Sequence, residues 1–273
     1  MTVLNLSFAA CGFLGIYHLG AMGAFLRHGD KLLGSLRACA GASAGALVAA
    51  VMITAPDKLE HCKEFTYKFA DSVRRQRFGA VTPGYDFMLT LREGMEEILP
   101  REAHRLATDR LHVSITHCQS GKNHIVSRFT SREELIKALL ASSFVPVYSG
   151  LKPVEYKGQK WIDGGFTDSL PILPEGRTVT VSPFAGLQDV CPIHRGSFRT
   201  QLTLANMNIM VLASSGLGFA KRLGVVSLSK CSEGKVLQQA FKLHIEFKPD
   251  FGGHIPSIQL FCSRRLHICP GSR

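Results

Sequence analysis

The chain has 273 residues, a net charge of +11, 45% hydrophobic residues and 19% charged ones, which fits one globular domain with or without an appendage and excludes a disordered polyelectrolyte. Eight cysteines without a CxxC pair make neither a disulfide scaffold nor a zinc site, and read as reduced thiols of an intracellular protein. The basic balance could suit nucleic acid, but there is no zinc-finger spacing, RNP-type aromatic signature or block of five Lys/Arg, so no nucleic-acid partner is expected.

Leu4–Ala9 reads as a buried strand that runs into Ala10-Cys11-Gly12-Phe13-Leu14-Gly15, and Ile16–Arg27 reads as a helix closed by Gly29. Leu36–Ala40 is a second strand, Gly41-Ala42-Ser43-Ala44-Gly45 a turn, and Ala46–Ile53 an apolar helix. The runs Val3–Leu26 and Ala38–Ala55 contain no Asp, Glu, Lys or Arg and approach the length of a membrane span. Both are rich in Gly, Ala and Ser with turn chemistry in the middle, so they read as buried strand–loop–helix units, with no transmembrane span and no secretory signal.

Pro56 opens a helix with Leu59, Cys62, Phe65, Phe69 and Val73 on one core stripe. Phe87–Leu99 is helical and stops at Pro100. Leu111–Thr116 and His124–Phe129 alternate like paired strands, and Ser131-Arg132-Glu133-Glu134 resembles a capping box for a helix to Ala141. Val154–Tyr156 and Lys160–Ile162 form a hairpin around Lys157-Gly158, and Thr178–Val181 is a last β-branched strand. Strands alternating with helices predict an α/β sandwich around a largely parallel sheet. The expected division is a domain over residues 1–210 and a basic segment over 211–273, where nine Lys/Arg face three acidic residues. Apolar groups interleave with those charges, a mixture that suits an anionic lipid surface or simple packing on the domain.

Three local features carry chemistry. Gly41-Ala42-Ser43-Ala44-Gly45 is a G-x-S-x-G between a strand and a helix, a setting that exposes a serine hydroxyl at a helix N-terminus, where free amides and the helix dipole favour negative charge. A small-residue packing turn would look the same. The amides around Cys11 and Gly12 suit an oxyanion hole. The rival, a dinucleotide phosphate loop, fails because Ala10 stands where the first Gly belongs. Asp163-Gly164-Gly165 holds the single Asp-Gly of the chain and is by itself a turn signal. A nucleophilic serine needs a base, and His194, His244, His254 or His267 downstream of Asp163 leaves a Ser-His-Asp hydrolase open.

Asn5 to Gly15, Gly41 to Gly45 and Trp161 to Gly165, with Ala141-Ser142-Ser143-Phe144-Val145-Pro146 and Asp168-Ser169-Leu170-Pro171, resemble the patatin-like phospholipase domain family over about residues 3 to 210. The resemblance implies a patatin-like three-layer sandwich and a Ser–Asp dyad without His, with Ser43 as nucleophile and Asp163 as base. It implies an oxyanion hole from the amides of Cys11 and Gly12, with Gly15 shaping the loop and Ala44 contributing. Gly41, Gly45, Gly164 and Gly165 would be motif glycines. Burial would have to raise the Asp163 pKa for it to act near neutrality. Substitution of Gly12 by Val is expected to crowd the loop.

The implied activity is hydrolysis of triacylglycerol, with phospholipid hydrolysis or acyl transfer to glycerol or retinol through the same acyl-serine, and no metal or organic cofactor. Partners would be neutral lipids, phospholipids and the surface of lipid droplets or organelle membranes, mitochondria included, approached peripherally from the cytoplasm. The competing expectation is a catalytically impaired lipid-surface scaffold.

Overall fold

The computed structural model describes residues 3–192, 200–211, 243–247 and 258–262. Five sequential strands and hairpins build its central sheet: β1 (Leu4–Phe8), β2 (Leu36–Ala42), β3 (Leu111–His117) with β4 (Asn123–Val126), the hairpin β5 (Val154–Tyr156) and β6 (Gln159–Asp163), and β7 (Arg177–Val181). The order is β5-β6-β3-β2-β1-β7, with β4 also paired to β3. The centre, β7-β1-β2-β3, is parallel, as the alternation of strands and helices predicts. The margin is antiparallel, because β4 and β6 both run against β3 and β5 against β6. The sheet is therefore mixed, and the fold is α/β.

The helices are α1 (Gly15–His28), α2 (Asp30–Gly34), α3 (Ala44–Thr54), α4 (Leu59–Arg75), α5 (Phe87–Ile98), α6 (Ala103–Ala107) and α7 (Arg132–Ser143). The short α2 and α6 carry too few residues to show a period, and sequence pattern alone misses them. Pro56 opens a 3-10 turn, Pro56–Lys58, directly before α4. Ser131 caps α7 by accepting the Glu134 N–H at 3.1 Å, while the Glu134 carboxylate accepts the N–H of Thr130, one residue earlier than the reciprocal bond of a capping box. Both uncharged runs resolve into strand–turn–helix units, and among the described residues no helix is long and apolar enough to cross a membrane.

The two faces of the sheet differ. Alternate residues Leu6 and Phe8, Val113 and Ile115, Val179 and Val181 point into one large core shared with α1, α3, α4, α5 and α7. Their neighbours Asn5, Ser7, Ala38, Ala40, Ser114 and Thr116 are small or polar and equally buried. A strap, residues 168–175, crosses that face from the β6 margin to β7. It is tied down where Ser114 Oγ donates to Asp168 O (2.9 Å), Asn5 Nδ2 to Glu175 O (2.6 Å) and Leu173 N–H to Thr178 Oγ1 (3.1 Å). Leu173 packs on Ala38 and Ala40.

A hairpin, β8 (Thr200–Leu204) and β9 (Met207–Val211), follows in sequence and sets Met207 against Ala9 and Leu170 on the same side. Among the described residues the third layer on this side is thus strap and hairpin. Strands β10 (Leu243–Phe247) and β11 (Ile258–Cys262) pair antiparallel. The rest of the basic segment beyond Val211, with the readings placed on it, lies outside the described residues.

Candidate active site

Pairing on β3 decides where the site forms. β4 occupies one edge of β3 from Val113 to Thr116. On the other edge β2 runs to Ala42, opposite Ser114, and β6 takes over at the next rung, with Asp163 opposite Ile115. One strand leaves the sheet at Ser43 where the other arrives at Asp163, so two residues far apart in sequence meet at one point.

Ser43 leaves β2 with φ 53 and ψ −131, a conformation side chains seldom adopt, and α3 starts at the following residue. The motif glycines mark the places where segments touch. A Cβ at Gly41 would lie 2.5 Å from the Gly45 carbonyl carbon, and one at Gly45 would lie 2.0 Å from Phe8 O. A Cβ at Gly15 would stand 3.1 Å from Ala44 Cβ, one at Gly164 2.1 Å from Ser114 O, and one at Gly165 2.7 Å from Ala10 Cβ. The three segments singled out by sequence are thus in van der Waals contact through positions that admit no side chain. Ala10 is tolerated because Gly165 opposite it has none.

Asp163 is buried, its Oδ1 accepts the Gly165 N–H at 2.7 Å, and the Ser43 side chain is near enough to favour the charged carboxylate. Burial raises its pKa to about 6, against the lowering effect of the Ser43 side chain and of the Gly165 N–H. Desolvation at the half-buried Cys11, with the Asp163 charge alongside, pushes its thiol up, so Cys11 stays protonated.

The amides of Cys11, Gly12 and Ala44 donate to no described residue, whereas the Gly15 amide is used within its own turn, on Gly12 O and Phe13 O. The three amides without an acceptor among the described residues belong to the loop and the turn that meet where Gly15 faces Ala44. Gly12 has φ +55 and a Cβ there would meet nothing within 4 Å, so the constraint visible at this position is the backbone conformation.

Two buried side chains support this arrangement and were not assigned a role from sequence. Ser142 Oγ, at the end of α7, accepts the Ser43 N–H at 2.9 Å and donates to Ser114 O at 2.7 Å, which joins the strained residue to α7 and β3. His18 Nε2 donates to Ala9 O at 2.9 Å and fixes the exit of β1. Burial lowers the His18 pKa to about 4, so it is neutral. Neither carries a local motif; the signal would have been a buried polar residue on an otherwise apolar helix face. Of the downstream histidines, His194, His254 and His267 lie outside the described residues, as does the side chain of His244. Among the described residues no group of three His, Cys, Asp or Glu could hold a metal ion.

A family model for patatin-like phospholipase matches residues 6–174. Human patatin-like phospholipase domain-containing protein 4 is 64% identical over 211 residues, covering 77% of this chain and 83% of that protein. Human omega-hydroxyceramide transacylase is 38% identical over 188 residues, 69% of this chain and 35% of its own length. Human 1-acylglycerol-3-phosphate O-acyltransferase PNPLA3 is 36% identical over 216 residues, 77% of this chain and 45% of its own length. The chain thus spans less than half of these last two relatives. With the matched segment running from β1 through the serine turn and the Asp-Gly-Gly to the strap, the chain belongs to the patatin-like phospholipase family.

Proposed function

We propose that the protein is a lipid acyl hydrolase that works through a Ser43–Asp163 dyad and an acyl-Ser43 intermediate. The meeting of the strained Ser43 and the buried Asp163 at one point of the sheet, with the Ser43 side chain acting on the Asp163 carboxylate, carries this reading. As the Ser43 oxygen attacks an ester carbonyl, its proton passes to Asp163, whose raised pKa brings its basicity closer to neutrality. The tetrahedral oxyanion would be met by the amides of Cys11, Gly12 and Ala44 and by the N-terminal end of α3. Asp163 then returns the proton to the departing alcohol. Water frees the acid from Ser43, and an alcohol acceptor in its place gives a transacylation. Two relatives, an O-acyltransferase and a transacylase, favour this second route. The chemistry asks for no metal or organic cofactor.

The substrates we assign are triacylglycerol and phospholipid, taken from a lipid droplet or membrane surface to which the protein binds peripherally. A fluorophosphonate probe should label the wild-type chain and not Ser43→Ala, and purified protein should release fatty acid from a triacylglycerol emulsion. Absence of labelling in folded wild-type protein would instead favour a lipid-surface scaffold. An essential downstream histidine with a dispensable Asp163 would favour a Ser-His-Asp hydrolase.

A further inference from the structure

The loop after α7 holds Val147 at φ +71, a conformation that β-branched residues avoid, and leaves its side chain 68% exposed. The loop is closed on itself. Val147 N–H donates to Gly150 O at 2.9 Å, Ser149 N–H to Val145 O at 2.8 Å, and Val145 N–H to Ser149 Oγ at 3.2 Å. Leu151 follows at 85% exposure. The root of this loop adjoins the site, because Phe144 O accepts the Asp163 N–H at 2.9 Å.

Tyr148 of the loop packs on Phe87 with ring centroids 5.4 Å apart, and Phe87 packs in turn on Phe13, next to Gly12, at 6.2 Å. The segment around Phe87 also carries exposed apolar groups: Phe78, Val81 and Leu89. With Val147, Leu151 and Phe166, which follows Asp163-Gly164-Gly165, these account for six of the eleven exposed large hydrophobic residues described. Cations accompany them. Arg75, Arg77 and Lys152 are exposed and have no carboxylate partner among the described residues, whereas Arg74 is paired with Asp71. The single carboxylate of residues 77–89, Asp86, is engaged as the cap of α5.

Apolar tips in a rigid, strained loop are costly in water, and cations without a carboxylate partner among the described residues, Arg77 among them with its guanidinium over the Phe78 ring, point to what covers them. We infer that the rim formed by residues 75–89 and 145–152 docks on an anionic phospholipid surface. Phe78, Val81, Leu89, Val147 and Leu151 enter the acyl region, and Arg75, Arg77 and Lys152 meet the headgroup phosphates. This deepens the reading of the site as a lipid acyl hydrolase by stating which side faces the lipid.

The test is sedimentation of the full chain with vesicles of phosphatidylcholine alone and with about 30% phosphatidylserine. The triple variant Phe78→Ser, Val147→Asn, Leu151→Ser removes apolar tips, and Asn relieves the strain at position 147. Its partition onto the mixed vesicles should fall at least tenfold while turnover of a soluble short-chain ester stays within twofold. Arg77→Gln with Lys152→Gln should lose binding to mixed vesicles and leave the weaker binding to phosphatidylcholine unchanged. A smaller fall for the triple variant, or wild-type binding by the charge variant, overturns the proposal. Should the triple variant not fold, Leu151→Ser alone is read in the same way, with a threefold fall as the threshold. Lack of ester turnover in wild type and variant alike would count against the acyl hydrolase, while the vesicle result still decides the docking surface.

Discussion

Beneath the helices the sheet presents Leu6, Phe8, Val113 and Ile115, none of them exposed, in ordinary strand geometry. At the carboxyl ends of the same strands the means are reversed. Ser43 is strained, a carboxylate is buried at a raised pKa, three amides have no acceptor among the described residues, and the segments touch through glycines. The first region holds the molecule together, and the second draws on that stability to keep groups in states water would relieve. Loss of chemistry and loss of stability should therefore separate cleanly by position.

The largest separation is expected from Ser43→Ala. Ester turnover should vanish while the melting temperature stays put, since Ala keeps the small volume at the turn; turnover in a folded variant would end the dyad proposal. Asp163→Asn comes next, with a fall in turnover of ~10²- to 10⁴-fold, typical of a lost general base. The wild-type pH–rate profile should drop below about pH 6, where Asp163 takes up its proton.

The same residue gives a stability test with a definite sign. Because the folded-state pKa lies above the unfolded value, the folded form binds the extra proton between about pH 4 and 6, and stability falls as pH rises through that window. Asp163→Asn should lack this component, so denaturant titrations should show it gaining on wild type from pH 4 to pH 7. A parallel pair of pH–stability curves would contradict the raised pKa.

Gly12→Val should lower kcat more than it changes KM, because φ +55 is denied to a β-branched residue and the loop amides would turn away from the oxyanion. One lost donor costs roughly 3 to 4 kcal/mol in the transition state. Gly12→Asn, which tolerates that conformation, should be milder, and equal losses from both would point to crowding after all. The smallest effect on chemistry is expected from Leu6→Ala in the apolar face. It should cost ~2 to 5 kcal/mol of stability by urea titration and leave turnover per folded molecule unchanged.

What could be read from the sequence was local. G-x-S-x-G, the Asp-Gly-Gly and the Cys11-Gly12 loop carry their reasons within five or six residues, since small side chains and a strand-to-helix switch are visible in order along the chain. The hairpin β5–β6 was equally visible, but the strand it joins was not. That β6 succeeds β2 on one edge of β3 depends on a pairing between Ile115 and Asp163 that no periodicity encodes. The antiparallel margin, the strap and the grip of Ser142 on the Ser43 amide are non-local in the same way. Gly12 shows the limit at its finest: its type was informative, but whether space or backbone torsion demanded it required the fold.

The pairing of β1 with β7 also bears on how the chain reaches this state. Asn5 donates to Glu175 across 170 residues, and the strand made first gains its second neighbour only after Val181 has been added. During synthesis the elbow at Ser43 and the strands β1, β2 and β3 can assemble early from nearer contacts. One edge of β1, carrying Leu6 and Phe8, stays open all that time, as an unpaired strand liable to join another chain. Such a topology folds slowly and leaves a long interval in which a chaperone is useful. A nascent chain shorter than 163 residues carries Ser43 without Asp163, so the two can meet only after the β5–β6 hairpin has been made and has docked on β3.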